Sequence, residues 1–282
     1  MPMKIIYMYL ISSIMIFANI NTIVSVLPLQ TFVKSIGGDR VDVTVMVSPG
    51  SSPHTYEPKP SQMKDISKAD MYFAIDVEFE NVWLGKFKDL NPKMQIVDLS
   101  KGVEKMYIQE HSHNHKESKR RDGKDPHIWL SPKNVQIIAE NIYKALSKID
   151  PDNESFYRSN YSKFKTKIEQ TDSKIKDILS SLPKGTKFMV LHPAWGYFAH
   201  EYGLKQVSIE IEGKSPKAKE MLFLIKEAKE ENIQAIFTQA EFSDATAKIM
   251  ADELNIPVIK VSPLSLKWSE NLIAISKSIA GK

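Results

Sequence analysis

Residues 152–182, DNESFYRSNYSKFKTKIEQTDSKIKDILSSL, contain neither glycine nor proline and are bracketed by Pro151 and Pro183. Their larger apolar side chains (Phe156, Tyr157, Tyr161, Phe164, Ile168, Ile175, Ile178, Leu179 and Leu182) keep to one face at helical spacing, while Lys and Glu fill the other. At 1.5 Å per residue such a helix reaches about 45 Å, enough to cross a whole domain. Flexible linkers are built from Gly/Ser or Pro repeats; this segment is a rod. A rod in mid-chain predicts two bodies joined stiffly, with only small motion of one against the other.

On either side of the rod the pattern alternates. Short β-branched runs at 22–26, 41–47, 71–75 and 95–98 are separated by helical stretches such as Leu29 to Ile36, closed by Gly37-Gly38, and Ser61 to Lys68. The second half repeats this with strands at 187–191, 206–211, 233–238 and 256–261. Its helices start at Ser215-Pro216 and Ser243-Asp244, and Gly203 ends another. Strands alternating with helices imply βαβ units and parallel sheets. The expected fold is therefore α/β with two lobes, each a mainly parallel four-stranded sheet flanked by helices. The division reads 1–18 signal peptide, 19–150 N-terminal lobe, 151–183 interlobe helix and 184–282 C-terminal lobe.

The leader is read from Lys4 followed by an apolar run from Ile5 to Phe17 and the small residue Ala18. That pattern is secretory and too short for an ordinary spanning helix. The sequence has no cysteine, which excludes a lipobox Cys, a disulfide framework and thiolate ligands. Lys4 is the one charged residue in 1–18, so the formal charge of +4 becomes +3 without them. So mild a balance argues for neither nucleic acid nor anionic lipid as a partner.

The histidines carry the chemistry. The chain has seven. His54 lies in GSSPHTYEP (50–58), His127 in DPHIWL (125–130) and His192 in LHPAWG (191–196), each beside a proline and in a strand-end loop. His111, His113 and His115 form a tract, HSHNH, within a polar loop at 109–124, and His200 is read as a solvated helix residue. Imidazole is the favoured neutral ligand for borderline transition metals, and three converging imidazoles make a zinc-grade set. Open α/β sheets bind ligands at strand ends, and flanking prolines limit the chain entropy lost on ordering such loops.

In motif order the chain resembles the metal-specific solute-binding proteins of ABC importers, the ZnuA/TroA-like family. The similarity is carried by 49–62, by DPHIWLS (125–131), by LHPAWGYFAHEYGL (191–204), by IFTQAEFS (236–243) and by VSPLSLKWSENL (261–272). The resemblance implies metal held in the cleft between the lobes by His54 and His127 from the first and His192 from the second. It also implies delivery to a membrane permease and its ATPase, no catalysis, and a metal-collecting role for His111, His113 and His115.

One departure stands out. The family's fourth ligand is commonly an Asp just before Pro-Leu, and here that position is Ser262. A hydroxyl is a poor zinc ligand and lacks the carboxylate that hard ions favour. The site is then completed by water or by a carboxylate, with Glu57 and Glu241 as candidates beside Ser262. Three nitrogens without a firm oxygen tip the choice to Zn²⁺ over Mn²⁺. Glu57 and Asp125 are also candidates to orient His54 and His127 through the second ring nitrogen. Glu210 and Glu212 line the cleft or face the transporter, and Trp129, Trp195 and Trp268 are packing. The expected product is an exported, monomeric protein that is not integral to the membrane. Two other uses of the same residues are a metal-dependent adhesin and a zinc-dependent hydrolase.

Overall fold

The computed structural model describes residues 19–108, 124–210 and 214–282. The leader, the histidine tract and Glu212 lie outside them. Two four-stranded sheets are formed. In the first, β1 (Ile20–Val24), β2 (Val41–Val45), β3 (Met71–Ala74) and β4 (Gln95–Asp98) pair in the order β2-β1-β3-β4. In the second, β5 (Lys187–Val190), β6 (Lys205–Ser208), β7 (Ile236–Thr238) and β8 (Val258–Lys260) pair in the order β6-β5-β7-β8. Every pairing is parallel, with Ile23 opposite Tyr72 and Val190 opposite Phe237. The second sheet thus repeats the strand order of the first.

Burial follows from that order. Central β3, MYFA, is buried at all four positions, as a parallel strand covered on both faces must be. Edge strands β4 and β8 are short, β4 largely exposed and β8 half-buried. In the first lobe the helices are α1 (Leu27–Gly37), α2 (Pro60–Ile66), α3 (Glu78–Leu90) and α4 (Pro132–Ile149). Pro28 opens α1, and Gly38 closes it at φ 59°, where a Cβ would also come within 2.8 Å of the Phe156 ring. Ser131 caps α4 by accepting from the Asn134 amide at 3.1 Å.

The rod is α5 (Glu154–Leu179), 26 residues or about 39 Å. It is shorter than the expected span because Pro151–Asn153 form a separate 3₁₀ turn before it. Its buried face is Tyr157, Phe164, Ile168, Thr171, Ile175 and Leu179. The remaining helices are α6 (Gly196–Glu201), α7 (Ala218–Glu230), α8 (Ala245–Leu254) and α9 (Trp268–Ile279). The rod packs against α1 and α4 and also against α9, which returns to it from the far end of the chain. Phe32 of α1 meets Phe164 and Trp268 with ring centroids 5.5 Å apart in each case, and Thr171 and Ser269 share a 2.6 Å hydrogen bond. One buried cluster therefore runs from Ile23 and Phe32 through Phe164 to Trp195, Phe237 and Leu272. A second, smaller one lies between β6, α7 and α8. Because the larger core crosses between lobes, opening them as free bodies would expose apolar surface. No helix among the described residues is long and apolar enough to cross a membrane.

Candidate metal centre

Apart from His127, which stands ahead of α4, every chemically interesting side chain follows a strand's carboxyl end: His54 after β2, Glu78 after β3, His192 after β5, Glu210 after β6, Glu241 after β7 and Ser262 after β8. This is the edge at which open α/β sheets collect ligands, and here two such edges face each other. His54, His127 and His192 each offer a ring nitrogen to a group whose ligand atoms lie within 4.8 Å of one another. Nε2 of His54 is 3.4 Å from Nε2 of His192. Two ligands bound at about 2.05 Å in tetrahedral geometry lie about 3.4 Å apart.

Each ring is aimed by a carboxylate on its other nitrogen. His54 Nδ1 is 3.0 Å from Glu78 Oε2, His127 Nδ1 is 2.8 Å from Asp125 Oδ1, and His192 Nδ1 is 2.9 Å from Glu210 Oε2. A carboxylate at Nδ1 fixes that nitrogen as the donor and leaves Nε2 with its lone pair. Lone pairs facing each other across 3.4 Å repel unless a proton on one ring or a cation lies between them. The pairing of His127 with Asp125 is as the sequence suggested. For His54 the partner is Glu78 and not Glu57. Glu57 is exposed, whereas Glu78 opens α3, at a strand end equivalent to those bearing the other site residues. That position was the available signal. Glu210, read from the sequence only as lining the cleft or facing the transporter, is the partner of His192.

The surroundings differ from ring to ring. The loop carrying His54 is tied down by Tyr56, whose hydroxyl bonds Ser48 at 2.8 Å and donates to Gln62 Oε1 at 2.9 Å. Buried Gln62 in turn donates to the Met46 carbonyl at 2.6 Å. His127 is buried, with the Trp129 ring edge-on at 5.4 Å, and the Asp125 carboxylate also accepts from the His127 amide at 2.9 Å. Gly196 lets α6 come against that turn, since a Cβ there would lie 2.7 Å from Asp125 Oδ2. The hydroxyl of Tyr197 donates to the Asp125 carbonyl at 3.1 Å. His192 is backed by Phe242, stacked at 4.8 Å. Sequence reading missed Phe242. Trp129 and Trp268 are packing residues with a further use: Trp129 Nε1 donates to the Pro263 carbonyl and Trp268 Nε1 to the Trp129 carbonyl, each at 2.7 Å. These bonds latch the β8–α9 segment onto the first lobe.

The electrostatics divide the same way. The hydrogen bond to Glu78 raises the His54 pKa against the opposing effect of burial. Burial pushes the Glu78 carboxyl up, but the His54 hydrogen bond and charge outweigh it and hold the group down to about 2. For His192 burial dominates and lowers the pKa despite Glu210. Of the remaining candidates, neither Glu57 nor Glu241 belongs to the ligand-atom group, and Ser262 donates its hydroxyl to Glu241 Oε1 at 3.1 Å. His200 is exposed on α6.

Comparison with known proteins agrees over nearly the whole chain. The family described as "Zinc-uptake complex component A periplasmic", ZnuA, matches residues 23–275. A manganese ABC transporter substrate-binding lipoprotein, PsaA of Streptococcus mitis, is 31% identical over 238 residues, covering 80% of this chain and 74% of that protein. The zinc-binding protein AdcA of Streptococcus pyogenes serotype M3 is 30% identical over 264 residues, covering 87% of this chain and 50% of that protein. A crystal structure of ZnuA superposes with a TM-score of 0.86 at 38% identity, covering 93% of this chain and 98% of that one.

Proposed function

This chain belongs to the ZnuA/TroA family of metal ABC transporter substrate-binding proteins, and on that premise we propose that it captures Zn²⁺ between its lobes and hands it to an import permease. The observation that carries this reading is the convergence of one ring nitrogen from each of three imidazoles, each ring also paired with a carboxylate at Nδ1. Three neutral nitrogens are a zinc-type set, whereas manganese prefers carboxylate and water oxygens. The relatives are named for both metals, AdcA for zinc and PsaA for manganese. The nitrogen-rich centre favours the first.

His54, His127 and His192 are the proposed ligands, and an oxygen from water, Glu57, Glu241 or Ser262 completes the shell. The cargo undergoes no chemistry: members of the family are solute-binding proteins and not enzymes, so the hydrolase alternative falls. The protein works outside the cytoplasm with a permease and its ATPase, as this class of importer does. His111, His113 and His115 serve as a weak collecting site. We read the protein as exported and monomeric.

Titration of protein purified without chelators, followed by elemental analysis, tests the reading. The expected result is one tightly held zinc per chain and weaker retention of manganese. Removing residues 111–121 should abolish only weak extra equivalents. Zinc that binds no more tightly than to a surface histidine, or manganese held more tightly than zinc, would overturn it.

A further inference from the structure

Ser262 stands where a carboxylate is expected, yet a carboxylate lies beside it. The Ser262 hydroxyl donates to Glu241 Oε1 at 3.1 Å and accepts from the Leu264 amide at 3.1 Å. The other oxygen, Glu241 Oε2, is buried and has no hydrogen-bond partner among the described residues. Gln239 Oε1, two residues earlier on the same stretch after β7, is in the same condition. A buried acceptor without a donor is unfavourable by about 1–3 kcal/mol, more when charged, and calls for a partner that the protein itself does not provide.

The placement of this pair says which partner. Glu241 lies between two residues that touch His192: Gln239 donates to the His192 carbonyl at 3.3 Å, and Phe242 stacks on its ring at 4.8 Å. Ser262 precedes Pro263, whose carbonyl accepts from Trp129, the residue whose ring abuts His127. The pair is thus bracketed by neighbours of two of the three converging imidazoles. A half-satisfied carboxylate there is suited to a divalent cation.

We propose that Glu241, steadied through one oxygen by Ser262, turns its second oxygen onto the metal and is the fourth ligand. The carboxylate usual on the loop after β8 has in effect moved to the loop after β7, and the short Ser262 side chain leaves room for it. Glu241 then sets how far the site accepts hard cations, since it is the sole anionic ligand of the shell. The inference rests on the three-histidine reading and refines it.

Four full-length proteins decide it: wild type, Glu241→Gln, Ser262→Asp and the double variant. Each is titrated with Mn²⁺ and with Zn²⁺ against a competing chelator, and the visible spectrum of its Co²⁺ form is recorded. Glu241→Gln should weaken Mn²⁺ by about tenfold or more and Zn²⁺ less, and should shift the Co²⁺ bands. Ser262→Asp in that background should restore Mn²⁺ affinity and the bands, because the carboxylate is returned by the other loop. Ser262→Asp alone should gain little over the double variant, two carboxylates being crowded together. Wild-type affinities and bands in Glu241→Gln would overturn the proposal. A loss that Ser262→Asp does not restore, with unchanged thermal unfolding, would equally overturn it. Failure of the wild type to hold zinc tightly would instead sink the three-histidine reading, so the two failures are distinguishable.

Discussion

His54 and His127 each bring a ring nitrogen to the same cluster, both from the first lobe, under opposite conditions. His127 is 7% exposed and its partner Asp125 1% exposed, and that carboxylate also fixes the local backbone. His54 sits on an exposed loop, and the side chain of its partner Glu78 is 49% exposed. His192, half-buried behind Phe242 and paired with Glu210, lies nearer to His127 than to His54 in exposure. On the proposed reading the centre has two more buried ligands and one carried on a more exposed loop. The lobes are joined by α5 and latched by two tryptophans, so on the proposed reading the more exposed His54 is the ligand to leave first when the ion is exchanged.

The largest effects should separate the two more buried histidines from the more exposed one. His127→Ala or His192→Ala should weaken zinc by about a hundredfold or more, beyond the range typical of outer partners. His54→Ala should cost about tenfold and should mainly speed dissociation. Chelator competition gives the affinities, and stopped-flow metal release gives the rates. His127→Ala should also destabilise the metal-free protein by about 1–3 kcal/mol, because it removes the ring from a buried carboxylate whose Oδ2 already lacks a partner among the described residues. His54→Ala should stay within about 0.5 kcal/mol, as surface changes do. Equal losses at all three positions would break the comparison.

One step outward, the carboxylates should follow their histidines. Asp125→Asn removes the charge that fixes the tautomer of a buried ring and should weaken zinc toward about a hundredfold, at the upper end for such partners. Glu78→Gln should cost nearer tenfold, and the wild-type contribution of this exposed pair should shrink at high salt. A Glu78→Gln loss as large as that of Asp125→Asn, and insensitive to salt, would show that exposure does not govern the contribution.

How much of this was legible beforehand depends on range along the chain. The eight strands were readable because β-branched runs recur between helix signals, and Gln95–Asp98 was placed to the residue. The three histidines were readable because each sits beside a proline in a loop, although His127 stands ahead of α4 and not at a strand end. The Asp125–His127 pair is two residues long, and a local turn suffices to form it. Glu78 was not readable as the partner of His54, since the pair forms only when the β2 and β3 loops meet above the sheet, and nearby Glu57 competes on spacing alone. The return of α9 to the rod was hidden for the same reason: Trp268 marks an apolar helix face but does not name what the face covers. Contacts within a turn can be read from sequence, whereas contacts set by sheet order require the fold.

Acid should expose the difference between His54 and His192. The raised His54 pKa means that its contribution to the stability of the metal-free fold is complete below the ordinary value of 6.5 and is lost as pH rises through the raised value. The lowered His192 pKa works oppositely: its contribution is present above 6.5 and is lost as pH falls through the lowered value. Metal must displace the His54 proton at pH values where His192 is already neutral. Zinc affinity should therefore begin to fall, on acidification, at the raised His54 value, and the onset should move lower in His54→Ala. Ring-proton NMR of the metal-free protein should show His54 titrating above His192. Coincident titrations would leave the two rings electrostatically equivalent and remove this part of the contrast.

The smallest effect should come from beneath the exposed half. Glu80 is buried two residues beyond Glu78, accepting from the Ile75 amide at 3.0 Å, from the Asp76 amide at 2.6 Å and from the Ser25 hydroxyl, which also bonds Tyr72 at 2.7 Å. Burial pushes its carboxyl up to about 7 in spite of those donors. A carboxyl raised in the fold contributes stability that is complete below its unfolded value near 4.5 and is lost as pH rises through about 7. Glu80→Gln keeps an acceptor for the turn and cannot ionise, so thermal midpoints should change less between pH 6 and 8 (values spanning about 7) than in the wild type. Zinc affinity should move by less than about twofold, because the turn that presents Glu78 stays closed. A loss as large as that of Glu78→Gln would mean that the exposed ligand is as deeply supported as His127, and the distinction between more buried and more exposed ligands would then fail at its base.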